Sequence, residues 1–182
     1  MSSVLVPLAQ GCEELEAITL VDLLRRAGMD VTTAGLDAEA ITASRGVRLI
    51  PDTVLDDVLD RHFDLIVLPG GLPGADHLDR DPRIHKLIRA QVQAERKVGA
   101  ICAAPKVLAS AGLLDNREAT AYPGTLEALQ LPSTAITAEK VTVDGNISTS
   151  RGPGTAMDYA LELIEQLAGK AKRDEVEAGL VR

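Results

Sequence analysis

Strands and helices alternate along the chain in the pattern of an α/β fold, in which a mostly parallel sheet is covered by helices on both faces. Three observations predict it. Continuous apolar runs such as Leu65-Ile66-Val67-Leu68 end in glycine-rich turns, as fully buried parallel strands do. Amphipathic stretches with helical spacing lie between those runs. The 182 residues are enough to bury a sizeable core, and no internal repeat or linker divides them, so residues 1–182 read as one domain.

Residues 3 to 9 are a short apolar run, and residues 14 to 27 then place Leu15, Ile18, Leu20, Val21, Leu23 and Leu24 at helical spacing. Gly28 stops that helix, and the β-branched stretch 30 to 35 is the second strand. Residues 41 to 51 alternate loosely around Ser44-Arg45-Gly46 and predict a small β excursion. The apolar run 64 to 68 meets Pro69-Gly70-Gly71, and residues 83 to 95 form a helix with Ile84, Leu87, Ile88 and Val92 on one face and Asp81-Pro82 as its start. Residues 97 to 101 are strand-like and give way at Cys102 to a helix-like stretch from Ala103 to Ala109. Residues 113 to 123 have no clear pattern. Two short β stretches, 140 to 143 and 146 to 149, flank Asp144-Gly145 and predict a hairpin; helices follow at 155 to 167 and, short and packed, within 170 to 182.

Composition excludes several functions. Nineteen Lys and Arg against 27 Asp and Glu leave a net charge of −8, with no basic cluster longer than Lys170-Ala171-Lys172-Arg173, which argues against nucleic acid as a partner. One Phe, two Tyr and no Trp argue against a stacking platform, so any ligand is expected to be small and polar. The N-terminus lacks the pattern of a signal peptide and no apolar stretch reaches membrane-spanning length, which predicts a cytoplasmic protein without a membrane partner. Cys12 and Cys102 are then free thiols. Three scattered histidines without paired cysteines give no support to a metal site.

The chemistry concentrates on one rim. Loops at the carboxyl ends of parallel strands share an edge of the sheet, which brings together Gln10 to Glu16, Pro69-Gly70-Gly71 and Cys102. A thiol between a strand and a helix start meets unpaired amides that favour thiolate and can hold an oxyanion. Burial of Cys102 as a small apolar side chain is the competing reading. Glu13, Glu14 and Glu16 lie in the first turn of a helix, where the macrodipole favours carboxylates without any function. Glu16 is favoured as an acid helper kept protonated by an apolar pocket, although spacing does not separate it from Glu13 or Glu14. Gly70 and Gly71 read equally as a tight turn and as an amide brought close to a reacting centre. His62, His77 and His85 read as solvated, and Cys12 as a loop cysteine open to oxidation.

Four motifs in register carry a resemblance: Gly11-Cys12-Glu13-Glu14-Leu15-Glu16, Leu68-Pro69-Gly70-Gly71, Ala100-Ile101-Cys102-Ala103-Ala104-Pro105 and Thr149-Ser150-Arg151-Gly152-Pro153-Gly154-Thr155. From Val4 to Val181 the chain resembles the ThiJ/PfpI superfamily, in the branch of the parkinsonism-associated protein deglycase and YajL. The resemblance implies a flavodoxin-like three-layer sandwich of glutamine-amidotransferase type, a homodimer, and no cofactor. It implies a nucleophile at Cys102, a protonated partner at Glu16, backbone oxyanion donors at Gly71 and Ala103, and a substrate pocket including Gly70 and Tyr122. Implied activities are glyoxalase or deglycase chemistry on methylglyoxal, glyoxal or glycated amines, chaperone behaviour, and oxidation of Cys102 to the sulfinate. Protease-like members carry histidine after the nucleophile; Ala103 stands there in this chain and argues against peptidase activity. Tyr122 occupies the segment where the deglycase relative has a histidine, which leaves proton transfer to Glu16. The sequence assigns no role to Arg45 or Arg151.

Overall fold

In the computed structural model, which describes residues 1–182, the first apolar run is strand β1 (Ser3–Leu8) and the amphipathic stretch after it is helix α1 (Glu14–Arg26). Helix α1 buries Glu16, Ala17, Leu20, Val21, Leu23 and Leu24, a stripe repeating every three to four residues. Leu15 and Ile18, counted with that stripe from their spacing, lie on the opposite face and are 51% and 48% exposed. Strand β2 (Asp30–Gly35) pairs in parallel with β1 from Ser3↔Asp30 to Leu8↔Gly35. The excursion is an antiparallel pair, β3 (Ile41–Thr42) and β4 (Arg48–Leu49), followed by a short strand β5 (Thr53–Val54) beside β2.

Strand β6 (Leu65–Leu68) is buried along its whole length. Between it and Asp81 lies a helix that the sequence reading missed, α2 (Gly74–Arg80). Asp81 then caps α3 (Pro82–Gln93), accepting from the Arg83 N–H at 2.9 Å, with Pro82 in the first turn as predicted. Strand β7 (Lys97–Ile101) leads to a short helix α4 (Pro105–Ser110), which starts two residues later than the sequence suggested. The unpatterned region holds β8 (Glu118–Ala119), which pairs with β9 (Ala135–Ile136) in a separate two-stranded sheet. Strands β10 (Val141–Asp144) and β11 (Ile147–Ser150) form the hairpin, but Asp144 pairs with Ile147, so the turn is Gly145-Asn146, one residue beyond the expected one. Helices α5 (Ala156–Ala168) and α6 (Lys170–Gly179) complete the chain.

The seven-stranded sheet has the order β10-β11-β7-β6-β1-β2-β5, parallel throughout except for β10. One apolar cluster packs α1, α5 and α6 on one face, and a second packs α3 and α4 on the other, which gives the three-layer α/β sandwich expected. From β1 the chain runs outward to β2 and β5, then returns to build β6, β7 and β11 on the other side. The carboxyl ends of β1 and β6 are therefore the point where strand order reverses, where ligands of such sheets gather.

Candidate active site

Cys102 leaves β7 with a φ of 63°, a left-handed backbone that a non-glycine residue holds only when its surroundings enforce it. Two neighbours do so. Its N–H donates to the Ser150 carbonyl and its own carbonyl accepts from the Tyr122 N–H, each at 2.9 Å. The Ser150 turn is itself braced, because Ser150 Oγ lies 2.7 Å from Thr155 Oγ1, which also accepts from the Gly152 N–H at 3.1 Å. Replacing Thr155 by valine is expected to cost about 1–2 kcal/mol of stability. It should also slow alkylation of Cys102 at fixed pH, with serine at 155 restoring both; melting temperature and the iodoacetamide rate measure the two effects.

Glu16 is fully buried and reaches the same point from the first turn of α1. Its Oε2 accepts from the Gly70 N–H at 2.9 Å, its carboxyl contacts the Cys102 side chain, and its buried Oε1 has no conventional hydrogen-bond partner. Glu13 is at the N-cap with an extended backbone, and its Oε2 accepts from Ser44 Oγ at 2.7 Å. Glu14 accepts from the Ser44 hydroxyl and the Arg45 N–H and so holds the β3–β4 loop. The structure therefore separates three carboxylates that sequence spacing left together.

Gly70 and Gly71 are required by space. A β-carbon at Gly70 would fall 2.7 Å from Cys102 Cβ and 2.8 Å from Glu16 Oε2, between the two groups. Gly71 has a φ of 86°, and a β-carbon there would collide with the backbone N of Glu13. Gly70→Ala is expected to destabilise by about 1–3 kcal/mol and to uncouple Glu16 from Cys102. Thermal melting and the pH dependence of Cys102 alkylation would register these.

Burial raises Glu16 to about 7, against the opposing contacts from Cys102 and Gly70. Burial, and then the Glu16 carboxylate, push the Cys102 thiol up to about 12, while the Gly71 and Ala103 amides at the sulfur pull the other way. The expected acidification by a helix start is thus outweighed by desolvation; α4 begins only at Pro105, and the Ala103 amide acts alone from that side. The two groups titrate as a pair. A proton on Glu16 removes the carboxylate charge that adds to burial in holding the thiol up, and turns the carboxyl into a hydrogen-bond donor. The Gly71 and Ala103 amides and a protonated Glu16 act on the sulfur in the direction of thiolate, against the burial that holds it as a thiol. Cys12, expected to be open to oxidation, is fully buried and pushed up to about 11 by burial and by Glu14 and Glu13.

A cavity of about 340 Å³ opens over Cys102, with Gly71, Ala103 and Tyr122 in its lining. Glu13 reaches it from the start of α1, and Ser44 and Arg45 from the β3–β4 loop, whose approach in three dimensions reveals these two. Tyr122 is 53% exposed at the cavity edge. Arg151 does not line this cavity but a shallower neighbour beyond Tyr122 and Pro153. Two of the histidines differ from the solvated reading. His77 Nδ1 lies 2.9 Å from the Gln10 carbonyl and His85 Nε2 lies 2.7 Å from the Asp79 carbonyl, and both rings are half-buried away from Cys102. No group of three or more His, Cys, Asp or Glu side chains is arranged to hold a metal ion, and no helix is long and apolar enough to cross a membrane.

The DJ-1/PfpI family matches residues 2–166. The chain is 45% identical over 180 residues to protein dj-1beta of Drosophila melanogaster, covering 98% of this chain and 96% of that protein. The crystal structure of Drosophila DJ-1beta matches with a TM-score of 0.95 at 44% identity, over 100% of this chain and 98% of that chain. Protein DJ-1 homolog A of Arabidopsis thaliana is 42% identical over 181 residues, which are 98% of this chain and 46% of that protein, so the chain spans about half the length of this relative. A Caenorhabditis elegans protein named glutathione-independent glyoxalase DJR-1.2 is 35% identical over 167 residues, covering 92% of this chain and 89% of that protein. With a family match across most of its length and such relatives over nearly all of it, the chain belongs to the DJ-1/PfpI family.

Proposed function

We propose that the protein is a cofactor-independent glyoxalase acting on methylglyoxal or glyoxal, or on their adducts with amines. The observation that carries this reading is the Glu16–Cys102 pair set against the Gly71 and Ala103 amides. The name of the Caenorhabditis elegans relative supports it. The Cys102 thiolate adds to the aldehyde carbon, forming an S–C bond and an oxyanion that the two amides hold and Glu16 protonates. Glu16, with a pKa near neutrality, then takes the proton from that carbon and returns it to the neighbouring one, while the hydroxyl proton passes from the first oxygen to the neighbouring oxygen, converting the hemithioacetal to a thioester of a 2-hydroxy acid. Water cleaves the thioester, releasing lactate from methylglyoxal or glycolate from glyoxal and restoring the thiol; no oxidant or reductant is consumed. Tyr122 and Arg45 both border the substrate in the cavity lining.

In this reading residues 1–182 act as one glutamine-amidotransferase-type domain, paired as a homodimer in the cytoplasm. The exposed Leu15 and Ile18 on α1 support self-association, and the two unpaired cysteines suit a reducing compartment. The test is lactate formation from methylglyoxal without added thiol, followed by proton NMR. Product above that from a Cys102→Ser protein supports the reading; its absence overturns it.

The orphaned Oε1 of Glu16 also favours a second reading, a redox sensor or chaperone protecting against oxidative stress. Two equivalents of peroxide would convert Cys102 to the sulfinate, each delivering one oxygen and leaving as water, and the Glu16 proton would bridge to a sulfinate oxygen. Intact-mass measurement after mild peroxide should find two added oxygens on Cys102 and none on Cys12. Equal oxidation of the two cysteines would count against it.

A further inference from the structure

A second cavity, of about 430 Å³, opens on the same rim of the sheet but past the ends of β1 and β2, where Gln10, Leu36 and Asp37 meet the end of α2 and the start of α3. None of its lining residues borders the Cys102 cavity. Several of its polar groups are already committed. The Gln10 amide donates to the Ala40 carbonyl at 3.0 Å and accepts from the Thr42 N–H at 2.8 Å. The Asp81 carboxylate is neutralised by Arg83, in contact at 2.5 Å.

Three groups remain. Arg80, the last residue of α2, lines the cavity and makes no ion pair or side-chain hydrogen bond within the protein. Asp37 spends one oxygen on the Glu39 N–H at 2.9 Å and has the other free. His77 Nδ1 lies 2.9 Å from the Gln10 carbonyl, an atom that only accepts, so Nδ1 carries a proton and donates it there, and Nε2 makes no hydrogen bond within the protein. A cation and an anion thus line one cavity without pairing with each other, beside the His77 ring, with Leu36 and Ile41 as an apolar wall.

We propose that this cavity is a binding site for a small α-amino acid, with its carboxylate on Arg80, its ammonium group on Asp37, and its side chain against Leu36 and Ile41. The charge pattern discriminates between ligand classes. A simple anion would meet Asp37 unshielded, and a simple amine would meet Arg80. Only a ligand carrying both charges satisfies both walls. The volume lies at the low end of the range for small-molecule sites, which suits a free amino acid better than a folded partner. The site does not depend on the reaction at Cys102.

Isothermal titration of the intact protein with glycine, L-leucine and L-glutamine, each to about 10 mM, tests it. Saturable binding of at least one is expected. For L-leucine as the ligand, 4-methylpentanoate, which lacks the ammonium group, and 3-methylbutylamine, which lacks the carboxylate, should each bind at least about tenfold more weakly. Arg80→Gln and Asp37→Asn, both at exposed side chains, should each weaken amino-acid binding by a similar factor while leaving the melting temperature and Cys102 alkylation unchanged. Absence of saturable binding by all three amino acids overturns the proposal. So does binding that Arg80→Gln leaves intact, or inorganic phosphate binding as tightly as the amino acids.

Discussion

Cys102→Ser is expected to lower lactate formation from methylglyoxal by at least about 10³-fold while leaving the fold intact. A serine hydroxyl fits the space of the thiol and keeps the backbone contacts to Ser150 and Tyr122, so the melting temperature should move little. The loss arises from acidity. A thiol is intrinsically far more acidic than an alkyl hydroxyl, and the Gly71 and Ala103 amides favour its anion, whereas a serine hydroxyl cannot be ionised with Glu16 as its only base. Oxygen is also the poorer nucleophile toward an aldehyde in a desolvated pocket. Lactate quantified by NMR, together with melting curves, checks both halves. Full turnover by the serine variant would remove Cys102 from the reaction altogether.

Glu16→Gln should reduce turnover by about 10²–10⁴-fold, the range for loss of a positioned acid–base group, and should also change how stability depends on pH. Glutamine keeps the shape and can still accept from the Gly70 N–H, but it has no proton to give to sulfur. In the folded protein Glu16 is raised from 4.5 to about 7, so between these values the native state holds a proton that the unfolded chain has released. The contribution of this group to stability is therefore greatest below about pH 4.5, falls as pH rises through the window, and levels off above about 7. The fall is about 3 kcal/mol at 1.36 kcal/mol per pKa unit. The glutamine variant lacks it, so urea unfolding at both ends of the window should show the stability difference between the two proteins shifting toward the variant as pH rises. Parallel pH–stability curves would mean that Glu16 is not held protonated.

Much of the scaffold was legible in the sequence because apolar runs and turn residues report burial directly. Leu65 to Leu68 could only be an interior strand, and the glycine after Asp144 announced the hairpin, though the partner register moved the turn onward by one residue. Helix α2 was not legible. Gly-Ala-Asp-His-Leu-Asp-Arg is a weak helix sequence, and what forms it is the burial of Ala75 and Leu78 under the sheet edge. Among the candidate site residues, the choice between Glu13 and Glu16 needed coordinates. Both lie within one turn of the same helix start, but only the residue past the N-cap has the helical backbone that carries its side chain inward. The balance of forces on Cys102 was also hidden, because a sequence displays the helix start and conceals the desolvation that opposes it.

The bend at Cys102 has a consequence for the history of each molecule. The carbonyl that holds its N–H belongs to Ser150 on β11, and the N–H that holds its carbonyl belongs to Tyr122, so the elbow is closed by chain made well after it. On a ribosome, or after proteolytic loss of the C-terminal third, Cys102 is an ordinary flexible cysteine with no enforced left-handed backbone. The unusual thiol is a property of the finished protein, and its alkylation profile reports whether a given molecule has been completed and closed.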